Sequence, residues 1–209
     1  AKDTVAQNLL DCSLFRSSII ESACPPRRVL VIGASGQVGG ALVEALGTSN
    51  VIGTYSRTAC DGMVHFDLEV AATDQQFVEE FISMCRPEIV FICAGCTWVD
   101  GCEGDVTRAY RVNRDGPGMV ARYSKMYGAR TVYYSTDYVF DGNKVNALYS
   151  ESDMVGPLNV YGSSKLAGEK AVMEEDPAAL VIRTTGVYGP EIQGKNFVYQ
   201  LCRSLSQGL

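Results

Sequence analysis

VLVIGASGQVGGAL, Val29 to Leu42, passes from four consecutive aliphatic residues through a glycine-rich turn into a segment of helical spacing. An unbroken aliphatic strand, rather than one alternating with polar residues, belongs in a sheet covered on both faces. Gly33, Gly36 and Gly39 occupy the turn, and Val38, Leu42 and Ala45 share one face of the following helix before Gly47 supplies a stop. Glycines at such a turn let the backbone come close to a pyrophosphate, while the helix N-terminus offers unpaired N–H groups and a partial positive charge. A GxxGxxG string by itself is common. Set between a strand and a helix, it reads as a dinucleotide-binding loop rather than a structural turn, and Ser35, Gln37 and Val38 fall within it.

The same alternation runs outward from this stretch. RVLVIG, VIGTYS, MVHF, EIVFICAG, RTVYYS and ALVIRT read as six strands, and TDQQFVEEFISMCRP, VTRAYRVNRDGPGMVARYSKMYG and VYGSSKLAGEKAVMEED as helices preceding the last three. Aliphatic strands separated by amphipathic helices predict an α/β, doubly wound (Rossmann) parallel sheet with helices on both faces and right-handed crossovers. The expected domain spans 28–209. Residues 1–27 read as a helical extension joined to it through CPPRR, without the basic start and continuous apolar core of a secretory signal.

With 46% hydrophobic and 20% charged residues the chain has the balance of a globular protein, and its net charge of −6 argues against nucleic acid or an anionic membrane as a partner. No apolar run reaches the roughly 20 residues that span a bilayer. The 8 cysteines are scattered through strand-like runs, which suits a reducing, cytoplasmic compartment better than a disulfide framework. Cys93 and Cys96 in CAGC have metal or redox spacing, but with no second CxxC and the single histidine His65 they read as small residues at a strand end, and no metal is expected.

An acidic residue normally follows the second strand and grips the adenosine ribose; here the sequence is TYSRTA. Ser56 and Arg57 are suited to a 2'-phosphate, which favours NADP, with NAD as the alternative if Arg57 is merely solvated. In VYGSSK, Tyr161 and Lys165 are four apart and share a helix face. A phenol with a pKa near 10 becomes an acid–base group at neutral pH when a neighbouring cation stabilises its phenolate, and Lys165 is that cation. STDYVFDG, Ser135 to Gly142, crowds hydroxyls and carboxylates at the end of the fifth strand, as a turn or a reaction edge.

GxxGxxG, a hydroxyl residue after the fifth strand and YxxxK together resemble the extended short-chain dehydrogenases/reductases. GASGQVG, STDYVFDG, YGSSKLAGE and IRTTGVYG narrow the resemblance to the dTDP-4-dehydrorhamnose reductase family, whose close relative is the regulatory beta subunit of methionine adenosyltransferase. The resemblance implies that Tyr161 donates a proton to a sugar ketone, Lys165 lowers the Tyr161 pKa and holds the nicotinamide ribose, and Thr136 hydrogen-bonds the ketone oxygen. It further implies that Asn113 supports a water-linked proton path, that Asp67 and Leu68 flank the adenine, and that Ala94 and Gly95 let the cofactor lie close. Thr97 and Asp100 in TWVD match a segment near the site; Asp137, Tyr138 and Val139 would shape the sugar pocket, and Asn196 in GKNF would approach the nucleotide-sugar.

The family continues into a smaller substrate domain, whereas this sequence stops in NFVYQLCRSLSQGL, so that domain is expected to be largely missing. The implied activity is NADPH-dependent reduction of the 4-keto group of a deoxysugar nucleotide, with a homodimer among the expected assemblies. Two alternatives stand beside it: an NADP-binding regulatory subunit partnered with methionine adenosyltransferase, and a nucleotide-sugar epimerase or dehydratase holding NAD. The missing acid after the second strand weighs against the last.

Overall fold

The computed structural model describes residues 28–145, 148–189 and 196–207. The expected extension at 1–27 and the first two residues of GKNF, Gly194 and Lys195, lie outside the described residues. All six expected strands are present: β1 Val29–Ile32, β2 Val51–Tyr55, β3 Val64–His65, β4 Ile89–Ile92, β5 Arg130–Thr136 and β6 Leu180–Thr184. They form one parallel sheet in the order β3-β2-β1-β4-β5-β6.

Around them lie α1 Gln37–Leu46, α2 Leu68–Ala71, α3 Gln75–Cys85, α4 Val99–Gly104, α5 Val106–Tyr110, α6 Gly116–Met126, α7 Val160–Glu175 and α8 Phe197–Ser206. None of the described helices is long and apolar enough to cross a membrane.

The aliphatic run of β1 is buried on both faces because the two faces meet different layers. Leu30 and Ile32 join Phe66, Ile82, Val90, Ile92, Val120 and Tyr133 in the main core, while Val29 and Val31 pack with Ala34, Val43 and Phe91 on the other side. Phe66 anchors the main core through rings 5.0 Å from Phe77 and 4.7 Å from Phe81, a spacing that adds to simple area burial.

The order of the strands reverses between β1 and β4. After β1 the chain winds outward to β2 and β3, then returns to β4, whose Ile89–Ile92 pair in register with Val29–Ile32. A crevice opens at the carboxyl ends of such a pair. Gly33 and Ala94 face each other there: a Cβ on Gly33 would lie 2.7 Å from the Ala94 nitrogen, and Gly33 has φ 88°. Glycine is required on both counts.

The expected long helix between β4 and β5 is present as a continuous helical run of α5, a π-helical turn at Arg111–Asp115 and α6, preceded by the short α4; the π turn within it is the departure from the expectation. Pro117 gives the physical reason. It has no N–H to donate to the carbonyl four residues back, at Asn113, and its ring crowds that carbonyl. The Asn113 carbonyl instead accepts the Tyr133 hydroxyl of β5 at 2.8 Å.

Helix α7 seats directly on this turn, where a Cβ on Gly168 would stand 2.0 Å from the Asn113 carbonyl oxygen and 2.5 Å from the Tyr133 hydroxyl. Gly168→Ala is therefore expected to destabilise the chain by about 2 kcal/mol or more, the scale of overpacking in a well-packed core. Urea unfolding followed by circular dichroism measures it; a stability equal to wild type would mean that α7 does not sit this close.

Candidate functional site

The glycine-rich loop is held open by the strand beside it. Gly33 N–H donates to the Thr54 hydroxyl at 3.1 Å and Gly36 N–H to the Gly33 carbonyl at 3.0 Å. Helix α1 starts from Gly36 with no side-chain cap, so its first N–H groups, from Gln37, Val38 and Gly39, are unclaimed by side chains among the described residues. Unclaimed donors at a helix N-terminus, in a cradle that a Cβ at Gly33 would fill, fit a dinucleotide pyrophosphate. Ser35 lies in the loop with its N–H 3.4 Å from the Thr54 carbonyl. At the end of β2, Ser56 is half-buried and Arg57 exposed, and Arg57 forms no ion pair among the described residues.

Across the crevice, β5 ends in Ser135 and Thr136, both buried. The Thr136 hydroxyl accepts the Tyr138 N–H at 3.2 Å, capping the turn Asp137–Val139, and donates to Asp137 Oδ1 at 3.3 Å. Tyr161 comes from the first turn of α7, whose N-cap Asn159 accepts the Gly162 N–H at 2.7 Å. Its ring meets Tyr138 edge-on at 5.6 Å. Burial pushes the Tyr161 phenol above the usual tyrosine range, and the Thr136 hydroxyl works in the opposite direction. Thr136 and Tyr161 are thus brought together.

Lys165, one turn further along α7, is only 4% exposed. Its Nζ donates to the Tyr134 carbonyl at 2.6 Å and lies 4.0 Å from the Tyr133 ring centroid. The bond goes to β5 backbone, not to the Tyr161 hydroxyl. Burial lowers its pKa to about 7, although Glu169 and Cys93 pull upward. Asn113, fully buried in the π turn, receives the Cys96 N–H at 2.8 Å and donates to the Cys96 carbonyl at 3.0 Å and to Ser164 Oγ at 2.9 Å. It pins the loop after β4 to α7. A Cβ on Gly95 would lie 3.1 Å from Asn113 Oδ1 and 3.8 Å from Lys165 Nζ, so that loop borders the site.

Other expected site residues have partners of their own. Asp67 caps α2 by accepting the Glu69 N–H at 2.8 Å, and Leu68 joins the main core. Thr97 and Asp100 are exposed. Asp137 and Tyr138 line a cavity of about 660 Å³ with Phe140, Leu158, Asn159 and Arg183, a volume within the range of small-ligand sites. Val139, expected in the pocket wall, is completely buried and contributes nothing to the lining. Asn196 caps α8 by accepting the Tyr199 N–H at 3.2 Å and donates to the Gly189 carbonyl at 2.9 Å, away from the cavity lining. Asp141 and Gly142 make a turn, with Asp141 accepting the Asn143 N–H at 3.1 Å and Gly142 at φ 74°.

Sequence reasoning missed a buried charge network. Glu169 receives Arg183 through two bonds, 2.9 and 2.7 Å, and the Ser135 hydroxyl at 2.5 Å. Glu169 is four residues beyond Lys165 on the same helix, and that spacing is the signal that could have found it. No cluster of three or more metal-ligating side chains forms among the described residues.

A glycine cradle at the strand-order reversal, with a hydroxyl, a tyrosine and a lysine gathered at the end of β5, defines an α/β protein of the short-chain dehydrogenase/reductase type. Within that class the chain belongs to the extended, RmlD-like family: residues 27–208 match the RmlD substrate binding domain model. It is 40% identical over 176 residues to a dTDP-4-dehydrorhamnose reductase from Burkholderia thailandensis, covering 84% of this chain and 55% of that protein. It is 35% identical over 181 residues to methionine adenosyltransferase 2 subunit beta from Bos taurus, covering 86% of this chain and 52% of the relative. Among solved structures, dTDP-4-dehydrorhamnose reductase from Bacillus anthracis in complex with NADP superposes with a TM-score of 0.74 at 34% identity, covering 87% of this chain and 60% of that one. The chain thus spans about half the length of the curated relatives it matches.

The depressed Lys165 pKa has a consequence for stability. Lys165 is neutral above about pH 7 in the fold but stays protonated to about pH 10.4 when unfolded. The unfolded chain binds the extra proton between those values, so the contribution of Lys165 to stability rises with pH through this window and is smallest below pH 7. Subtracting the pH profile of Lys165→Met from that of wild type should leave a difference that grows from about pH 7 toward pH 10. A flat difference in urea-unfolding free energy across that range would show that Lys165 is not buried as described.

Proposed function

We propose that the protein is an NADP-preferring oxidoreductase that reduces the 4-keto group of a deoxysugar nucleotide, and that this chain carries its cofactor-binding and reacting residues. The observation that carries the reading is the meeting of Thr136, Tyr161 and Lys165 at the carboxyl end of β5, beside an uncapped helix N-terminus. NADP would be held by the Gly33–Gly39 loop, by Ser56 and Arg57 at the adenosine end, and by Ala94, Gly95, Thr97 and Lys165 toward the nicotinamide. When bound, the reduced cofactor supplies the hydride.

The chain's own groups handle the proton and the oxygen. Tyr161 keeps its proton at neutral pH because burial raises its pKa, so the acid form is loaded when a ketone arrives. Thr136 would hydrogen-bond the same oxygen and stabilise the charge that develops on it. A phenolate left in this buried position needs a cation, and Lys165, with a pKa of about 7, exchanges a proton near neutrality. Asn113 acts by fixing the Cys96 loop against α7. Asp137 and Tyr138 would meet the sugar in the adjoining cavity, and a cytoplasmic location goes with this activity.

The test is NADPH oxidation by the protein at its natural length with dTDP-4-dehydrorhamnose, followed by nicotinamide absorbance. Tyr161→Phe should lower kcat about 100-fold or more while leaving NADPH affinity nearly unchanged; undiminished turnover would remove Tyr161 as the proton donor. Arg57→Ala should weaken NADPH binding about tenfold, the loss of one charge-assisted contact to a phosphate, with NADH binding unaffected. Equal losses for both cofactors would dispose of the 2'-phosphate reading.

The similarity to methionine adenosyltransferase 2 subunit beta favours one second reading, an NADP-binding regulatory subunit. Fold does not decide between the two roles. Co-purification with a methionine adenosyltransferase catalytic subunit, without ketone reduction, would establish that reading; reduction without co-purification would dismiss it.

A further inference from the structure

Cys96 and Cys102 lie on either side of Trp98, Cys96 in the loop that follows β4 and Cys102 within α4. Their sulfurs are 3.3 Å apart. This is the one thiol–thiol contact among the described cysteines, all six of which are free. The two partners are unequal. Cys102 is completely buried, whereas Cys96 is half-buried and has the Arg108 guanidinium 3.9 Å from its sulfur. A partly exposed thiol beside a fixed cation is the setting in which reactive cysteines occur. A buried thiol in contact with it is placed to resolve whatever forms there.

We propose that Cys96 and Cys102 constitute a reversible thiol-oxidation site whose co-reactant is hydrogen peroxide, with Cys96 attacking and Cys102 resolving. In the first step the Cys96 thiolate sulfur bonds to one peroxide oxygen, the O–O bond breaks, and the departing hydroxide takes a proton to become water. Cys96 is then a sulfenic acid. In the second step the Cys102 sulfur bonds to the Cys96 sulfur, the S–O bond breaks, and the hydroxyl leaves with the Cys102 proton as a second water. Two electrons pass from the sulfurs to the peroxide, and a dithiol reductant reverses the change.

The local structure supports each step. Closing the pair to the disulfide length of about 2.05 Å requires the sulfurs to approach by about 1.2 Å. The Cys102 thiol is pushed up to about 12, first by burial and then by its hydrogen bond with Cys96 and the charge of Cys96. Arg108 is kept in place by Glu69 at 2.9 Å. A bond that forms and reverses in this way is compatible with a reducing compartment, where persistent structural disulfides are rare. The site adjoins the crevice, since the Cys96 backbone is held by Asn113 and Gly95 lies beside Lys165, but the oxidation chemistry does not depend on the proposed reductase activity.

The reduced 209-residue chain is treated with stoichiometric hydrogen peroxide, alkylated and cleaved on the N-terminal side of Asp100, between the two cysteines. Fragments bearing Cys96 and Cys102 should remain joined, with a mass lower by two hydrogens, and should separate after dithiothreitol. Trp98, the single tryptophan, lies between them at 72% exposure and should change its fluorescence on oxidation and recover on reduction. Cys102→Ala should abolish the fluorescence change, and Cys96→Ser, at the more exposed partner, serves the same purpose if the first variant does not fold. Peroxide that converts Cys96 to a sulfinic acid with Cys102 untouched, or that links other cysteines instead, would overturn the proposal.

Discussion

Much of this structure depends on how closely α7 is allowed to approach the π turn and β5. Gly168 presents only a hydrogen where any other residue would drive a Cβ into the Asn113 carbonyl and the Tyr133 hydroxyl. The Asn113 carbonyl is free to take the Tyr133 hydroxyl because Pro117 cannot donate to it. These two residues, far apart in sequence, fix a single contact among three elements. From that contact follow the depth at which Lys165 is buried, the position of Tyr161 beside Thr136, and the anchoring of the Cys96 loop through the Asn113 side chain.

The electrostatics of the site follow from the same seating. An ammonium brought this far from water pays a desolvation cost that one carbonyl bond and an aromatic face do not fully return, so its pKa falls toward neutrality. One turn along, Arg183 and the Ser135 hydroxyl satisfy both oxygens of Glu169. A cation able to gain and lose its proton near pH 7 thus sits on the same helix as a buried, fully hydrogen-bonded Glu169. Tyr161, next to them, keeps its proton. This is a suitable arrangement for moving one proton to an oxygen at the end of β5.

The strands and the glycine loop were legible in the sequence because aliphatic runs and the strand–turn–helix pattern are local properties. The six strand readings and the long helices rest on that, and all six strands are found. The π turn was not read, since helical periodicity survives one inserted residue; Pro117 inside the expected helix was the available warning. Leu68 and Val139 were assigned by position in a motif, but which way a side chain turns depends on neighbours distant in sequence, and both turn into the protein. The contact of Cys96 with Cys102 was hidden for a related reason. CAGC drew attention to Cys93, whereas the loop folds Cys96 back onto the following helix. Neither Glu169 nor Arg183 stands in a motif that singles it out, and only their mutual pairing makes burial tolerable.

At the centre of the account stands the claim that the dinucleotide cradle is complete within this chain and does not require the remaining length found in its relatives. Titration calorimetry of NADPH into the folded 209-residue chain addresses it directly. The account predicts saturable binding of one NADPH per chain, lost in Gly33→Val, where the new side chain would collide with Ala94 and fill the cradle. No heat of binding from a chain that is demonstrably folded, or equal binding by the Gly33→Val variant, would contradict it.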